Sequence, residues 1–89
     1  MRHPFYSKRF ERDLKRSQRR GKDLEKIKTV LRLLIEGKRL DDRYFDHPLV
    51  GNYVGRRECH IESDWLLIYK LDGDDIIFER TGTHADLFR

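Results

Sequence analysis

The sequence predicts an α+β domain of order β-α-α-β-β-β, with a helical hairpin packed on one face of an antiparallel sheet. Three observations carry this reading. Apolar residues recur at helical spacing up to Ile35, and three strand candidates follow Gly55 in quick succession. Those runs are separated only by Glu62-Ser63-Asp64 and by Asp72-Gly73-Asp74-Asp75, connections short enough to make hairpins. Finally, 89 residues that are 37% hydrophobic and 40% charged can fill only one small core, so residues 1–89 read as a single domain. A helix layer over a sheet uses such limited apolar surface economically.

The elements follow in order. Phe5 and Tyr6 suit a short first strand, after which Ser7 is placed to cap a helix. Phe10 and Leu14 lie one helical turn apart, with Lys and Arg at most other positions. Gly21 is a natural stop and Asp23 a natural cap for the next helix. Leu24, Ile27, Val30, Leu31, Leu34 and Ile35 then form one apolar stripe, closed by Gly37. Asp41-Asp42, Asp46-His47-Pro48 and Gly51-Asn52 mark an irregular connection. Strands are expected at Arg56–Ile61, Trp65–Leu71 and Ile76–Thr81, and the tail His84–Phe88 has room for one helical turn.

Charge is unevenly spread. Residues 1–40 hold 14 Lys+Arg against 5 Asp+Glu, a balance of +9; residues 41–89 hold 6 against 11, a balance of −5. A basic half of this kind suits a polyanion or an acidic partner, although two solvated helices would look the same. With Cys59 alone, no internal disulfide can form, which fits a reducing cytoplasm. The opening residues lack the apolar run of a signal peptide, and no segment has the ~18 consecutive apolar residues of a membrane helix. These features point to a soluble cytoplasmic protein with no membrane contact.

The meander gathers the chemically interesting residues. The end of its first strand, the start of the second and the end of the third share one rim, which places His60, Asp64, Trp65 and His84 together. His47 lies upstream of the opposite rim, but the chain from there to Gly55 can span about 26 Å at ~3.3 Å per residue. A six-residue strand is only about 20 Å long, so the loop can carry His47 back to the same rim. Histidines and a carboxylate on one rim suit acid–base cleavage of an RNA phosphodiester. A base takes the 2′-hydroxyl proton, an acid protonates the departing 5′-oxygen, and a cation steadies the phosphate. Arg56, Arg57 and Arg80 are candidate cations, of which Arg56 shares a strand face with His60 and Arg57 points the other way. Trp65, Tyr53 and Phe88 are candidates for stacking on unpaired bases.

Each residue also has an ordinary explanation. Trp65 begins an apolar strand and so suits the core; Asp64 suits a turn; Phe88 can pack back on the domain; Arg80 can pair with a carboxylate. A three-histidine zinc site competes with metal-free chemistry, but no helical His-x-x-x-His pair or cysteine cluster supports it, and no cofactor is expected. Two non-enzymatic alternatives fit the charge asymmetry equally well. One is a basic RNA- or ribosome-binding module, and the other a protein whose basic helices dock an acidic partner.

The runs Asp46-His47-Pro48-Leu49-Val50-Gly51-Asn52-Tyr53, Arg57 to Lys70 and Phe78 to Phe88 resemble the YafQ toxins of the RelE superfamily. The similarity is dense across residues 44–89 and looser over the helical hairpin. The resemblance implies a RelE-like fold and a bacterial type II toxin that cuts messenger RNA in the decoding site of the ribosome without a metal. It implies a DinJ-like antitoxin as partner, with operator DNA reached only through that antitoxin. It also places His47, His60, Asp64 and His84 at the family's catalytic positions, with Trp65 and Phe88 beside them. On that pattern His84 is the expected acid, His60 or Asp64 lies nearer the 2′-hydroxyl, and His47 orients or shares charge at the phosphate.

Overall fold

In the computed structural model, which describes residues 1–88, the chain starts its first helix as its caps dictate. Strand β1 (His3–Tyr6) leads into Ser7, whose hydroxyl accepts the Phe10 N–H at 2.9 Å and opens α1 (Lys8–Arg19). Gly21, at φ 86, turns the chain by a left-handed step that glycine makes without steric cost. Asp23 then caps α2 (Leu24–Ile35) by accepting the Glu25 N–H. Ile27, Val30, Leu31 and Leu34 form the buried stripe of α2, while Phe10 anchors α1.

The sheet holds β2 (His47–Pro48), β3 (Arg57–Glu62), β4 (Trp65–Asp72) and β5 (Asp75–Gly82), in the order β1-β5-β4-β3-β2. A final helix, α3 (His84–Leu87), follows β5. The three hairpin strands fall within one residue of the expected bounds. Two features differ from expectation. β1 runs parallel to β5, so the sheet is mixed, because the helices and meander between them bring the chain back in its starting direction. β2 is an unexpected edge strand antiparallel to β3; with two residues, one of them proline, it is too short to show an alternating pattern.

Strand β4 explains the packing. Trp65, Leu67 and Tyr69 point to the helical hairpin and join Phe10, Ile27, Val30, Leu34 and Phe78 in the main core. Leu66 and Ile68 point the other way, where Leu87 of α3, Leu49 and Tyr53 cover them. Both faces of β4 are therefore buried, which is why it reads as an unbroken apolar run. The second face carries the site. A bulge at Glu79 shifts the β4–β5 register, pairing Ile68 with Arg80 and Tyr69 with Phe78. No helix among the described residues is long and apolar enough to cross a membrane.

Candidate active site

Strand pairing delivers the histidines. His47 sits opposite Glu58 in the β2–β3 pair, and His60 follows Glu58 two residues later on the same face of β3. His84 comes from the first turn of α3, which Leu87 seats over Leu66 and Ile68. The ring centroids of His47 and His60 lie 6.3 Å apart, and those of His60 and His84 5.8 Å apart. The convergence expected from the meander thus occurs, on the face opposite the helical hairpin.

The loop before β2 is fastened by Asp46. Its Oδ1 accepts the Tyr69 hydroxyl at 2.6 Å and Arg57 Nε at 3.3 Å. Burial first, and then the Asp46 carboxylate, push the Tyr69 hydroxyl pKa upward, so this hydroxyl stays a donor. His47 then has both ring nitrogens facing acceptors, with Nδ1 donating to the Phe45 carbonyl at 2.6 Å and Nε2 lying 2.9 Å from Glu58 Oε2. Glu58 Oε2 is thereby taken up by His47, and Oε1 is left over.

Glu58 is the residue that sequence reasoning passed over as a site member. It is only 5% exposed, and its Oε1 is buried with no hydrogen-bond partner. A buried carboxylate oxygen without a donor is costly and calls for an explanation. Glu58, His60 and His84 each offer a ligand atom, all within 4.8 Å of one another. The grouping suits proton transfer among the three, and it also suits a divalent cation, which the spacing along the chain did not suggest.

Asp64 holds His84. One carboxylate oxygen accepts both the His84 backbone N–H, at 2.8 Å, and Nδ1–H, at 2.6 Å. These two bonds, the backbone one foremost, keep the Asp64 carboxyl below its usual pKa range. Because Asp64 only accepts, Nδ1 carries the hydrogen and Nε2 is left for chemistry. Asp64 orients a histidine here; it is not a free base.

The remaining expected residues divide. Trp65 is 1% exposed, and its Nε1 donates to Thr81 Oγ1 at 3.0 Å. This corrects its assignment as a base platform: the indole fills the core beneath the site, and no RNA base can reach it. Trp65→Phe is therefore expected to keep the fold, whereas Trp65→Ala costs about 3–5 kcal/mol. Urea melts check both. Arg80 is committed to Asp13 of α1, at 2.6 and 3.3 Å, and Arg56 to Glu79 at 3.0 Å. Both line a hollow of about 670 Å³ together with Tyr53 and Phe88, beside the histidines. Phe88 is 43% exposed, 5.6 Å from the Tyr53 ring and 6.3 Å from that of His84.

The sequence profile for the bacterial toxin of type II toxin-antitoxin systems, YafQ, matches residues 2–89. The chain belongs to the YafQ toxin family. It is 49% identical over 84 residues to the mRNA interferase toxin YafQ of Escherichia coli K12, covering 93% of this chain and 91% of that one. The E. coli DinJ-YafQ complex contains a chain that superposes with TM-score 0.94 at 47% identity, with both chains fully covered. A metal-bound toxin from Helicobacter pylori superposes with TM-score 0.91 at 36% identity, covering 99% of this chain and all of that one.

In this YafQ-family chain α3 is held by more than its cap. Asp86 Oδ2 accepts the Thr83 N–H at 2.9 Å while Thr83 Oγ1 accepts the Asp86 N–H, a reciprocal capping box. Asp86 also meets Arg20 at 2.7 Å, and that bond foremost depresses its carboxyl pKa well below the usual range. Gly82 makes room, since a Cβ there would stand 2.8 Å from Asp86 Oδ2. Asp86→Ala is expected to cost about 1–2 kcal/mol at neutral pH. Folding favours the charged carboxylate, so its contribution is complete above the ordinary value of 3.8 and fades as pH falls through the depressed folded value. The stability gap between parent and variant in urea should therefore narrow as pH falls below 3.8.

Proposed function

We propose that this chain is an mRNA interferase that cuts messenger RNA in the ribosomal decoding site by metal-free acid–base chemistry. The observation that carries this is the trio of Glu58, His60 and His84, with an unpartnered buried carboxylate oxygen on one side and an Asp64-oriented imidazole on the other. His60, less buried than Glu58, takes the proton of the 2′-hydroxyl and relays it to the buried Glu58 carboxylate as the 2′-oxygen attacks the adjacent phosphorus. His84 Nε2 protonates the 5′-oxygen as the P–O bond breaks, leaving a 2′,3′-cyclic phosphate. His47, beside them, orients the phosphate or shares the charge growing on it. His47, His60, Asp64 and His84 thus form the site with Glu58, and Phe88 receives a base beside it.

The same reading accounts for the basic half of the chain. Arg9, Arg12, Arg16 and Arg19 line one groove along α1, and Arg9, Arg12 and Arg19 have no carboxylate partner among the described ion pairs. Such a row suits ribosomal RNA, or the acidic segment of a DinJ-like antitoxin that silences the toxin. Operator DNA is then reached through the antitoxin, and the pair works in the bacterial cytoplasm.

Purified chain added to ribosomes programmed with a reporter messenger, read by primer extension, tests this. New cuts are expected on the ribosome, few on free messenger, none after antitoxin is added, and no change with a transition-metal chelator that spares magnesium. Equal cutting of free messenger removes the ribosome requirement; no cutting at all leaves an RNA-binding module. A second reading rests on the metal-competent trio and the metal-bound H. pylori toxin. Glu58, His60 and His84 would hold the ion, occupying the atoms that proton transfer needs, and added copper would then inhibit.

A further inference from the structure

On the His60 side of the site lies a hollow of about 430 Å³, separate from the one beside Phe88. Its walls include Phe45, Tyr44, Arg43, His60 and Ser63. Phe45 is unusual in two respects. Its ring is 65% exposed and packs into neither core cluster, yet its centroid lies 5.6 Å from that of His60. Its backbone, at φ 48 and ψ 45, is the only left-handed non-glycine conformation among the described residues. A bulky aromatic residue seldom adopts that conformation, and strain of this kind is kept where the surroundings impose it for a purpose.

The surroundings do impose it. The Phe45 N–H donates to the Asp42 carbonyl at 3.0 Å, closing a short turn that the Asp41 side chain caps. The Phe45 carbonyl in turn accepts His47 Nδ1. One residue therefore orients His47 through its backbone and faces His60 with its ring. Phe45, His60, His84 and Phe88 form a row of rings with successive centroids 5.6, 5.8 and 6.3 Å apart. The two histidines hold the middle and an exposed phenylalanine stands at each end. Beside Phe45, Arg43 stacks over the Tyr44 ring at 4.8 Å and has no carboxylate partner among the described ion pairs.

We propose that Phe45 is the stacking platform for the unpaired RNA base on one side of the bond that is cut, across the scissile phosphate from Phe88. The inference rests on the endoribonuclease reading. Aromatic faces hold single-stranded bases without regard to sequence, and a neighbouring arginine grips the phosphate of the same nucleotide. The hollow offers both, and it opens directly onto His60. Stacking at both ends would hold the strand taut across the acid and the base, placing the 2′-hydroxyl and the 5′-oxygen on opposite sides of the row.

The left-handed backbone makes the test clean. Phe45→Gly removes the ring while keeping the carbonyl that holds His47, in a conformation glycine adopts freely. Circular dichroism should show the fold retained. The probe is a short single-stranded RNA with 2′-O-methyl groups, which cannot be cut, carrying fluorescent 2-aminopurine at each position in turn. The parent should quench two positions, one on each side of the bond that is cut, and only one of them through Phe45. Phe45→Gly should lose that quench and bind roughly tenfold more weakly, and Phe45→Tyr should restore both. Equal quenching and affinity in Phe45→Gly, or no quenching at any position, overturns the platform. Cutting of a reporter messenger by the parent is measured in parallel. A parent that cuts while its quench ignores Phe45 overturns only this proposal. A parent that shows the Phe45-dependent quench yet never cuts supports the platform and overturns the ribonuclease reading.

Discussion

His84→Ala is expected to lower messenger cleavage by about 10²–10⁴-fold, the usual worth of a positioned general acid, and to leave the fold intact. The fold survives because the imidazole is 55% exposed and packs in neither core cluster. α3 keeps its capping box from Thr83 and Asp86 and its apolar anchor Leu87. The chemistry should not survive, because Nε2, which Asp64 leaves available, is the proton donor of the proposed mechanism. The loss should have a direction in pH. An acid works only while protonated, so the parent's rate falls at high pH, and His84→Ala should abolish that alkaline limb along with the rate. Asp64→Asn separates orientation from acidity. It removes the carboxylate that fixes the ring but keeps the imidazole, so the limb should remain, displaced, with a smaller loss in kcat. Primer-extension rates across pH check both variants. An alkaline limb that survives in His84→Ala would assign the acid to another group.

The fold was legible because its signals are local. Ser7, Asp23 and Gly21 mark helix ends by chemistry confined to a few residues, and the hairpin connections bound the strands. Meander geometry alone brought His60, Asp64 and His84 to one rim, whereas for His47 it showed only a loop long enough to reach them. What escaped the sequence depends on contacts between distant segments. Arg80 looks like a free cation until α1 brings Asp13, 67 residues away, against it. Trp65 can be read as core or as platform until the helical hairpin is seen to cover its face of β4. Glu58, alternating with Cys59 along a strand, looks like an ordinary solvent-facing carboxylate. Only the arrival of β2 and α3 over that face buries it. Phe45 carries no sequence signal of its left-handed backbone, since nothing but the cap at Asp41 and the turn that follows imposes it.

Glu58→Gln carries the sharpest consequence of that burial. The substitution keeps size and shape but removes the charge, and cleavage is expected to fall by about 10²–10³-fold as the relay loses its acceptor. A base works only when deprotonated, so the parent's rate also falls at low pH, and this acidic limb should vanish in the variant. Stability should move the other way. The carboxylate is 5% exposed with one oxygen unpartnered, and a buried charge that is only half satisfied destabilises the folded state. A neutral amide relieves that cost while its own oxygen can still face His47, provided the imidazole keeps the proton on Nε2. Thermal melts should therefore show Glu58→Gln as stable as the parent or more so, with activity nearly gone. Groups kept at the expense of stability are typical of sites shaped for chemistry. A variant that both melts earlier and retains cleavage would make Glu58 a structural partner of His47 and leave His60 as a base without a relay. A variant that gains stability and loses the acidic limb would identify the orphaned oxygen as the group that accepts the 2′-hydroxyl proton from His60.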